Sequence, residues 1–577
     1  MMRFRRIPRP CPLATALLLA LLAPSFGPAA AAQETAGAFG EVVDVALVNV
    51  EVWVTDDDGR PVLGLTAEDF EVREDGRPVP ITFFAEVGSA GLAHSVTAPP
   101  AGTAEQPELP TVEAPGHWVI YVDQLHLSAV RQRRLLRDLD RFLPLSGIPP
   151  ERVLVLRQRR DLVTEANFGS TRAEISQALS RIAEGEPAAG QLTAQAKRLA
   201  LDRLQEMWEV LRTQNVPAPC NFVPARAVPE INRYARQARE RVALSVANLK
   251  RAASFLAAVP GVKTVIYAGD ALETHPGRDL MRFVRELCPA HTDAGRFQLP
   301  EGLGPELREL TRSANANRVT IYTLQTGGLR PDPVGGAQQR ALDTLATARN
   351  VLGPAARDSE RSGLQVLATE TGGRAILNRN RLEEALEEIA REMSAYYSLA
   401  YEPPSGGDGR EHRIEVRVKG RDLVTRHRLN YRAKPPAERL TDRLESALYL
   451  GVTENPLGMR LGAGDLTDMG EGLYSLRLHL LVPASEVVFL PHEDSGLARL
   501  AATVAVRTPG RPGVETVRRD LPVPRPPSDD ALLDLVVPLE LARGPVLLAV
   551  ALRDLTSNET SVVSTGLEIQ PPSPVSR

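Results

Sequence analysis

A carboxylate and an imidazole sit where a buried strand gives way to a helix. His117-Trp-Val-Ile-Tyr-Val is apolar, β-branched and aromatic, and Asp123 is the first charge after it. His126 follows three residues on. Ser128 then opens a pattern that puts Leu135, Leu136, Leu139, Phe142 and Leu143 on one side of a helix. A run without polar alternation reads as a strand buried on both faces, as in a parallel sheet. A carboxylate at its end lies at the edge where open α/β sheets bind ligands. Asp270 ends a second such strand, Val262-Lys-Thr-Val-Ile-Tyr-Ala. The chemistry on offer is oxygen coordination of a cation, or simple capping of a loop. His126 with Asp123 gives only two ligands, and zinc takes three or four, so a surface histidine is the plainer reading. Ser128 is equally a helix N-cap.

Other constellations are weaker. There is no Gly-x-Ser-x-Gly and no His-Glu-x-x-His, so the serine-hydrolase and metalloprotease motifs are missing. Asp56-Asp-Asp-Gly lacks the full calcium-loop spacing and reads as a solvated turn. Gly372-Gly373 precedes a strand and has no following lysine, so it is not a phosphate loop. Tyr396, Tyr397 and Tyr401 read as strand residues in a core.

The elements that must position these residues alternate. Strands near 153–156, 161–164, 262–268, 318–324 and 371–377 are separated by helices at 173–182, 230–259, 338–356, 362–370 and 381–396. That alternation predicts an α/β domain over 117–396 with a doubly wound, mostly parallel sheet. Residues 187–229 read as an insertion on the ligand-facing side. Before the domain, 41–87 carries alternating strands and tight turns of a β-sandwich-like module, joined by a Pro/Ala/Thr-rich linker, 88–116. After it come an antiparallel β extension, 397–433, and a C-terminal β-sandwich, 443–570.

The 577 residues are 43% hydrophobic and 24% charged, with a net charge of −4, so large cores are possible and nothing points to nucleic acid. Arg3, Arg5, Arg6 and Arg9 precede the apolar run 13–22 and then Ala29-Ala-Ala-Ala. This is a signal peptide, 1–32, cleaved near Ala32. The mature chain is expected to be extracytoplasmic, periplasmic or secreted, without a membrane span. Cys220 and Cys288 remain in it and are candidates for a disulfide.

Several stretches in order resemble the secreted proteins related to von Willebrand factor type A domains that abound in Acidobacteria. They are Gly64-Leu-Thr-Ala-Glu-Asp-Phe-Glu-Val-Arg-Glu-Asp-Gly, the strands ending at Asp123 and Asp270, and Val319-Thr-Ile-Tyr before Gly327-Gly328-Leu329. The strongest is Leu367-Ala-Thr-Glu-Thr-Gly-Gly-Arg-Ala followed by Ser394-Ala-Tyr-Tyr-Ser-Leu-Ala-Tyr-Glu-Pro. The resemblance covers roughly 42–431.

It implies a metal-ion-dependent adhesion site: Asp-x-Ser-x-Ser after the first strand, a later Thr, and an Asp after the fourth strand. Such a site holds Mg2+ through oxygens and leaves a position for a partner's carboxylate. Here Asp123 matches the first Asp, Leu125 and Leu127 replace the two serines, and Ser128 is one residue late. Ser170 or Thr171 stands for the loop Thr, and Asp270 for the late Asp. The implied metal set is Asp123, Ser128, Ser170, Thr171 and Asp270, a degenerate version of the site. The resemblance implies a binding or adhesion protein with a protein or cell-envelope ligand, and the missing catalytic motifs lead to the expectation that it is not an enzyme. The alternatives are a metal-independent structural scaffold of the envelope and a metal-assisted hydrolase.

Overall fold

The computed structural model describes residues 47–88, 116–185, 190–214, 223–287, 299–326, 359, 361–379, 381–393, 395–404, 408–492, 495–508, 514–528 and 530–570. The expected signal peptide, nearly all of the linker, the helix at 338–356, Gly327, Gly328, Cys220 and Cys288 lie outside them.

Strands β1 (Val48–Thr55), β2 (Phe70–Glu74), β3 (Arg77–Val79) and β4 (Phe83–Val87) come first. The turn after β1 closes on itself, with Asp56 Oδ1 accepting from Arg60 N at 2.8 Å.

The α/β domain follows as β5 (His117–Asp123), α1 (Ala129–Leu145), β6 (Val153–Gln158), β7 (Leu162–Ala166), α2 (Arg172–Glu184), α3 (Gly190–Thr213) and α4 (Val223–Phe255). It continues through β8 (Lys263–Ala268), α5 (Arg278–Leu287), α6 (Gly304–Ala316), β9 (Val319–Leu324), β10 (Ala375–Ile376) and α7 (Leu382–Met393). Its sheet has the order β10-β9-β8-β5-β6-β7, and every neighbour is parallel except β7 against β6. Alternation within β5 sends Trp118, Ile120 and Val122 into a core with α1, α2 and α7. Val119 and Tyr121 enter a second core with α4 and α6. Helices therefore cover both faces, which is why these strands are apolar throughout.

The next strands are β11 (Tyr396–Tyr401), β12 (Glu411–Val418), β13 (Val424–Arg426) and β14 (Asn430–Arg432). They complete the first four. Two four-stranded sheets, β13-β1-β11-β4 and β14-β12-β2-β3, enclose one core that includes Val50, Val52, Phe70, Leu399 and Ile414. The described strands of the segments 41–87 and 397–433, expected as separate units, thus form one sandwich, because neither set alone has enough strands to bury a core. The α/β domain is inserted between β4 and β11. The sandwich docks under the N-terminal edge of the α/β sheet, where Trp53 and Tyr396 pack with Val262 and Val87. Buried Glu51 accepts from Arg318 Nε at 2.9 Å there. Burial raises the Glu51 carboxyl, but the charges of Arg318 and Arg428 outweigh it and hold it below its ordinary value.

A helix, α8 (Pro436–Leu450), precedes the last sandwich. Where a β-sandwich is expected from 443 on, Pro436 instead starts a helix that runs to Leu450, as proline does in a first turn. Gly451, at φ 68°, ends it in the left-handed conformation. The sandwich strands are β15 (Arg460–Gly470), β16 (Leu473–Pro483), β17 (Leu490–His492), β18 (Ser495–Arg507), β19 (Glu515–Pro524), β20 (Leu532–Ala542), β21 (Gly544–Asp554) and β22 (Thr560–Ile569). One sheet is β15-β16-β20; the other is β17-β18-β21-β22, with β19 also paired to β18.

Helix α8 joins this sandwich to the α/β domain. Tyr449 stacks on Phe255 of α4 at 4.8 Å, and the Arg507 guanidinium lies 4.3 Å from the same Tyr449 ring. Ser446 Oγ donates to Phe255 O at 2.5 Å. Tyr449→Ala is expected to cost about 3 kcal/mol by urea denaturation, with the α/β domain and C-terminal sandwich no longer unfolding together. A loss below about 1 kcal/mol with one shared transition would mean the helix is only a tether.

Candidate functional site

The C-terminal end of β5 turns sharply because Asp123 organises it. Its Oδ1 accepts from Leu125 N at 2.9 Å, and its main-chain carbonyl accepts from Leu127 N at 3.1 Å. This is the side-chain-closed turn that aspartate favours. The carboxylate itself has no exposed surface. Its Oδ2 meets His126 Nδ1 at 2.9 Å and accepts from the Tyr267 hydroxyl at 2.5 Å. The network continues inward. Ser245 Oγ, on α4, lies 3.2 Å from His126 Nδ1 and accepts from Gln158 Nε2 at 3.1 Å, while Tyr121 donates to Gln158 Oε1 at 2.6 Å.

Burial alone would raise the Asp123 carboxyl. The charge and hydrogen bond of His126, then hydrogen bonds from Tyr267 and Ser245, outweigh it and lower its pKa. Tyr121 and Tyr267 are pushed well up, first by burial and then by the Asp123 charge. Ser245, His126 and Asp123 superficially resemble a hydrolytic triad. Yet serine and aspartate both face Nδ1, whereas a relay needs them on opposite ring nitrogens, and the group is buried.

Asp270 stands beside this turn, its main-chain N–H donating to His126 O at 3.2 Å. Arg131, on α1, donates to Asp270 Oδ2 at 2.7 Å, and Thr326 Oγ1 donates to Oδ1 at 2.6 Å. Both carboxylates are therefore already satisfied, one by a guanidinium in the place a cation would take. The hydroxyl positions of the adhesion motif are Leu125 and Leu127, both buried. These residues do not fit a magnesium ion, which needs an oxygen shell.

The implied metal set does not assemble. Ser128 is the N-cap of α1, accepting from Arg131 N at 3.4 Å. Thr171 caps α2 in a reciprocal capping box with Glu174. Ser170 precedes it in the same loop. Because β7 runs antiparallel to β6, that loop lies at the opposite edge of the sheet from Asp123, beside Glu151, which accepts from Gly169 N at 2.8 Å.

Helix α3, in the insertion, packs on the Asp123 turn. Gly190, at the start of α3, donates to Leu127 O at 2.9 Å, and a Cβ there would come within 2.4 Å of that oxygen, so only glycine fits the approach. Lys197, buried, pairs with Glu273 and Asp279 at 2.7 Å each, tying α3 to the chain after β8. A cleft of about 590 Å³ lies elsewhere, beside α4, α6 and α8. Its cations Lys250 and Arg312 pair with Glu309 and Glu411 at 2.7 and 2.6 Å.

A second polar cluster lies in the first sandwich. Glu74 and Asp75, at the end of β2, meet His412 of β12, and together the three could hold a metal ion. Burial lowers the His412 pKa, but hydrogen bonds to Asp408 and Asp75 outweigh it, and the net shift is upward. The signal was Glu74-Asp75 before a glycine turn, legible only once β2 is known to pair with β12.

Compared with protein-family models, curated proteins and solved structures, the chain matches none.

The Asp123 carboxylate is depressed in the folded state, so its contribution is present above the unfolded value of about 3.9 and is lost as pH falls through the folded value. Asp123→Asn should therefore cost about 3 kcal/mol near pH 7. In urea titrations from pH 7 to pH 3 the gap to wild type should narrow. A gap independent of pH would mean that the buried group is not ionised.

Proposed function

We propose that this chain is an extracytoplasmic binding protein that recognises a protein or cell-envelope ligand without a metal ion at the sheet edge, and that it is not an enzyme. The α/β unit is read as a doubly wound type A domain. Its strands, numbered within the domain, run 3-2-1-4-5-6 with one antiparallel edge, and β-sandwiches flank it. The observation that carries the metal-independent reading is the Arg131–Asp270 ion pair at 2.7 Å. A divalent ion would have to displace a guanidinium already hydrogen-bonded to the carboxylate. The magnesium-dependent form of the reading is therefore set aside. The arginine-rich, then apolar N-terminus supports export, and no described helix is long and apolar enough to cross a membrane.

Calorimetric titration of the mature chain with Mg2+ tests this. No saturable binding that disappears in Asp123→Ala or Asp270→Ala is expected. Millimolar or tighter Mg2+ binding abolished by either variant would restore the adhesion-site reading. Edman sequencing of the exported chain is expected to begin close to residue 33; an uncleaved N-terminus would contradict the export assignment.

A further inference from the structure

Helix α1 leaves the Asp123 turn with its outer face open to water. Val130, Arg133, Arg134, Arg137, Arg141 and Leu145 follow one another at steps of three and four residues, so they share one face, opposite the buried Leu135, Leu139 and Phe142. All of them are exposed. Leu145, at 87%, is the most exposed large apolar side chain among the described residues, and Val130, at 69%, is next. Arg134 lies 3.7 Å from Asp138, and Arg141 lies 3.6 Å from Glu383 of α7. Arg133 and Arg137 form no ion pair among the described residues.

A merely solvated helix face interleaves its cations with carboxylates three or four residues away. On α1 the one exposed carboxylate is Asp140. The chain as a whole carries a net charge of −4, so this positive strip is local and not a reflection of composition. Guanidinium forks take carboxylates two oxygens at a time, and the strip is therefore complementary to an acidic partner. It is about 22 Å long and one helix wide. Beside it, α7 turns Glu383, Glu384 and Glu387 to solvent. Those carboxylates repel a broad anionic plane such as a lipid surface, yet leave room for a narrow segment lying along α1.

We propose that the outer face of α1 docks an acidic segment of a protein partner. Arg133, Arg137 and Arg141 pair with its carboxylates, and Val130 and Leu145 seat apolar side chains at its two ends. Such docking presupposes the metal-independent binding protein proposed above and gives its partner a chemistry. Helix α1 begins at the C-terminal edge of the sheet, where open α/β sheets take their ligands, so the docked segment reaches that edge at Val130.

The test is fluorescence anisotropy of a labelled glutamate-rich peptide of about 15 residues, with a leucine near each end, titrated with the full mature chain at low salt. Saturable binding is expected, weakening about 10-fold when salt is raised to about 0.3 M. Binding should fall at least about 10-fold in Arg133→Glu/Arg137→Glu. It should stay within about twofold in Arg278→Glu/Arg285→Glu, the same charge change on exposed arginines of α5, which packs against α4. Vesicles of phosphatidylglycerol and phosphatidylcholine are expected to bind wild type no more tightly than Arg133→Glu/Arg137→Glu. Circular dichroism checks that each variant folds. No saturable peptide binding, an equal loss in both charge-reversed variants, or vesicle binding that only the α1 variant loses would overturn the docking assignment. The magnesium titration above decides the metal-independent reading separately from each of these results.

Discussion

A carboxylate with no exposed surface sets the terms for the C-terminal edge of the α/β sheet. Taking Asp123 out of water costs several kcal/mol unless its oxygens are fully engaged. Leu125 N, His126 and Tyr267 engage them, and each partner is placed by a different part of the fold. The turn supplies the first two and β8 the third. Helix α4 brings Ser245 behind the histidine. The insertion then seats Gly190 on the back of the turn. A metal-binding edge keeps its carboxylates open to solvent and to a partner; this edge spends them on internal contacts.

Asp270 obeys the same rule through another group. Arg131 lies in the first turn of α1, within reach of the strand end after β8, so the helix that leaves the Asp123 turn also delivers the counter-ion for Asp270. At the opposite edge, Arg318 just before β9 pairs with Glu51 of β1 and ties the first sandwich to the sheet. Charge pairs thus hold both edges of the α/β domain, while apolar stacking through Tyr449 holds its helical face to the C-terminal sandwich.

Much of this could be read locally. The strands at His117, Val153, Lys263 and Val319 show as apolar runs because both faces are covered. Helix α1 shows in the spacing of Leu135, Leu139 and Phe142. What could not be read depends on distant partners. The β1–β11 pairing links Val50 to Leu399 across an inserted domain, and no local period encodes it. Helix α8 falls across the start of the segment read as a β-sandwich, and its opening proline suits a loop as well as the first turn of a helix. In the ten-residue β19 the charges at Arg518, Arg519 and Asp520 interrupt the alternation that would mark a strand, because it is an exposed outer strand. At the site, Asp123 and Asp270 were visible as strand-end carboxylates, but their partners were not. Arg131 looks like any surface arginine of an amphipathic helix until β8 is placed beside β5. Ser170 and Thr171 were misplaced because an edge strand gives no local sign that it runs backwards.

For Asp270, Arg131 supplies the positive charge that a metal ion would otherwise bring. A double-mutant cycle on Arg131→Ala and Asp270→Ala, read by urea denaturation at low salt, tests it most directly. A coupling of roughly 1–3 kcal/mol between the two side chains is expected. A coupling near zero, with the two single effects simply adding, would contradict it.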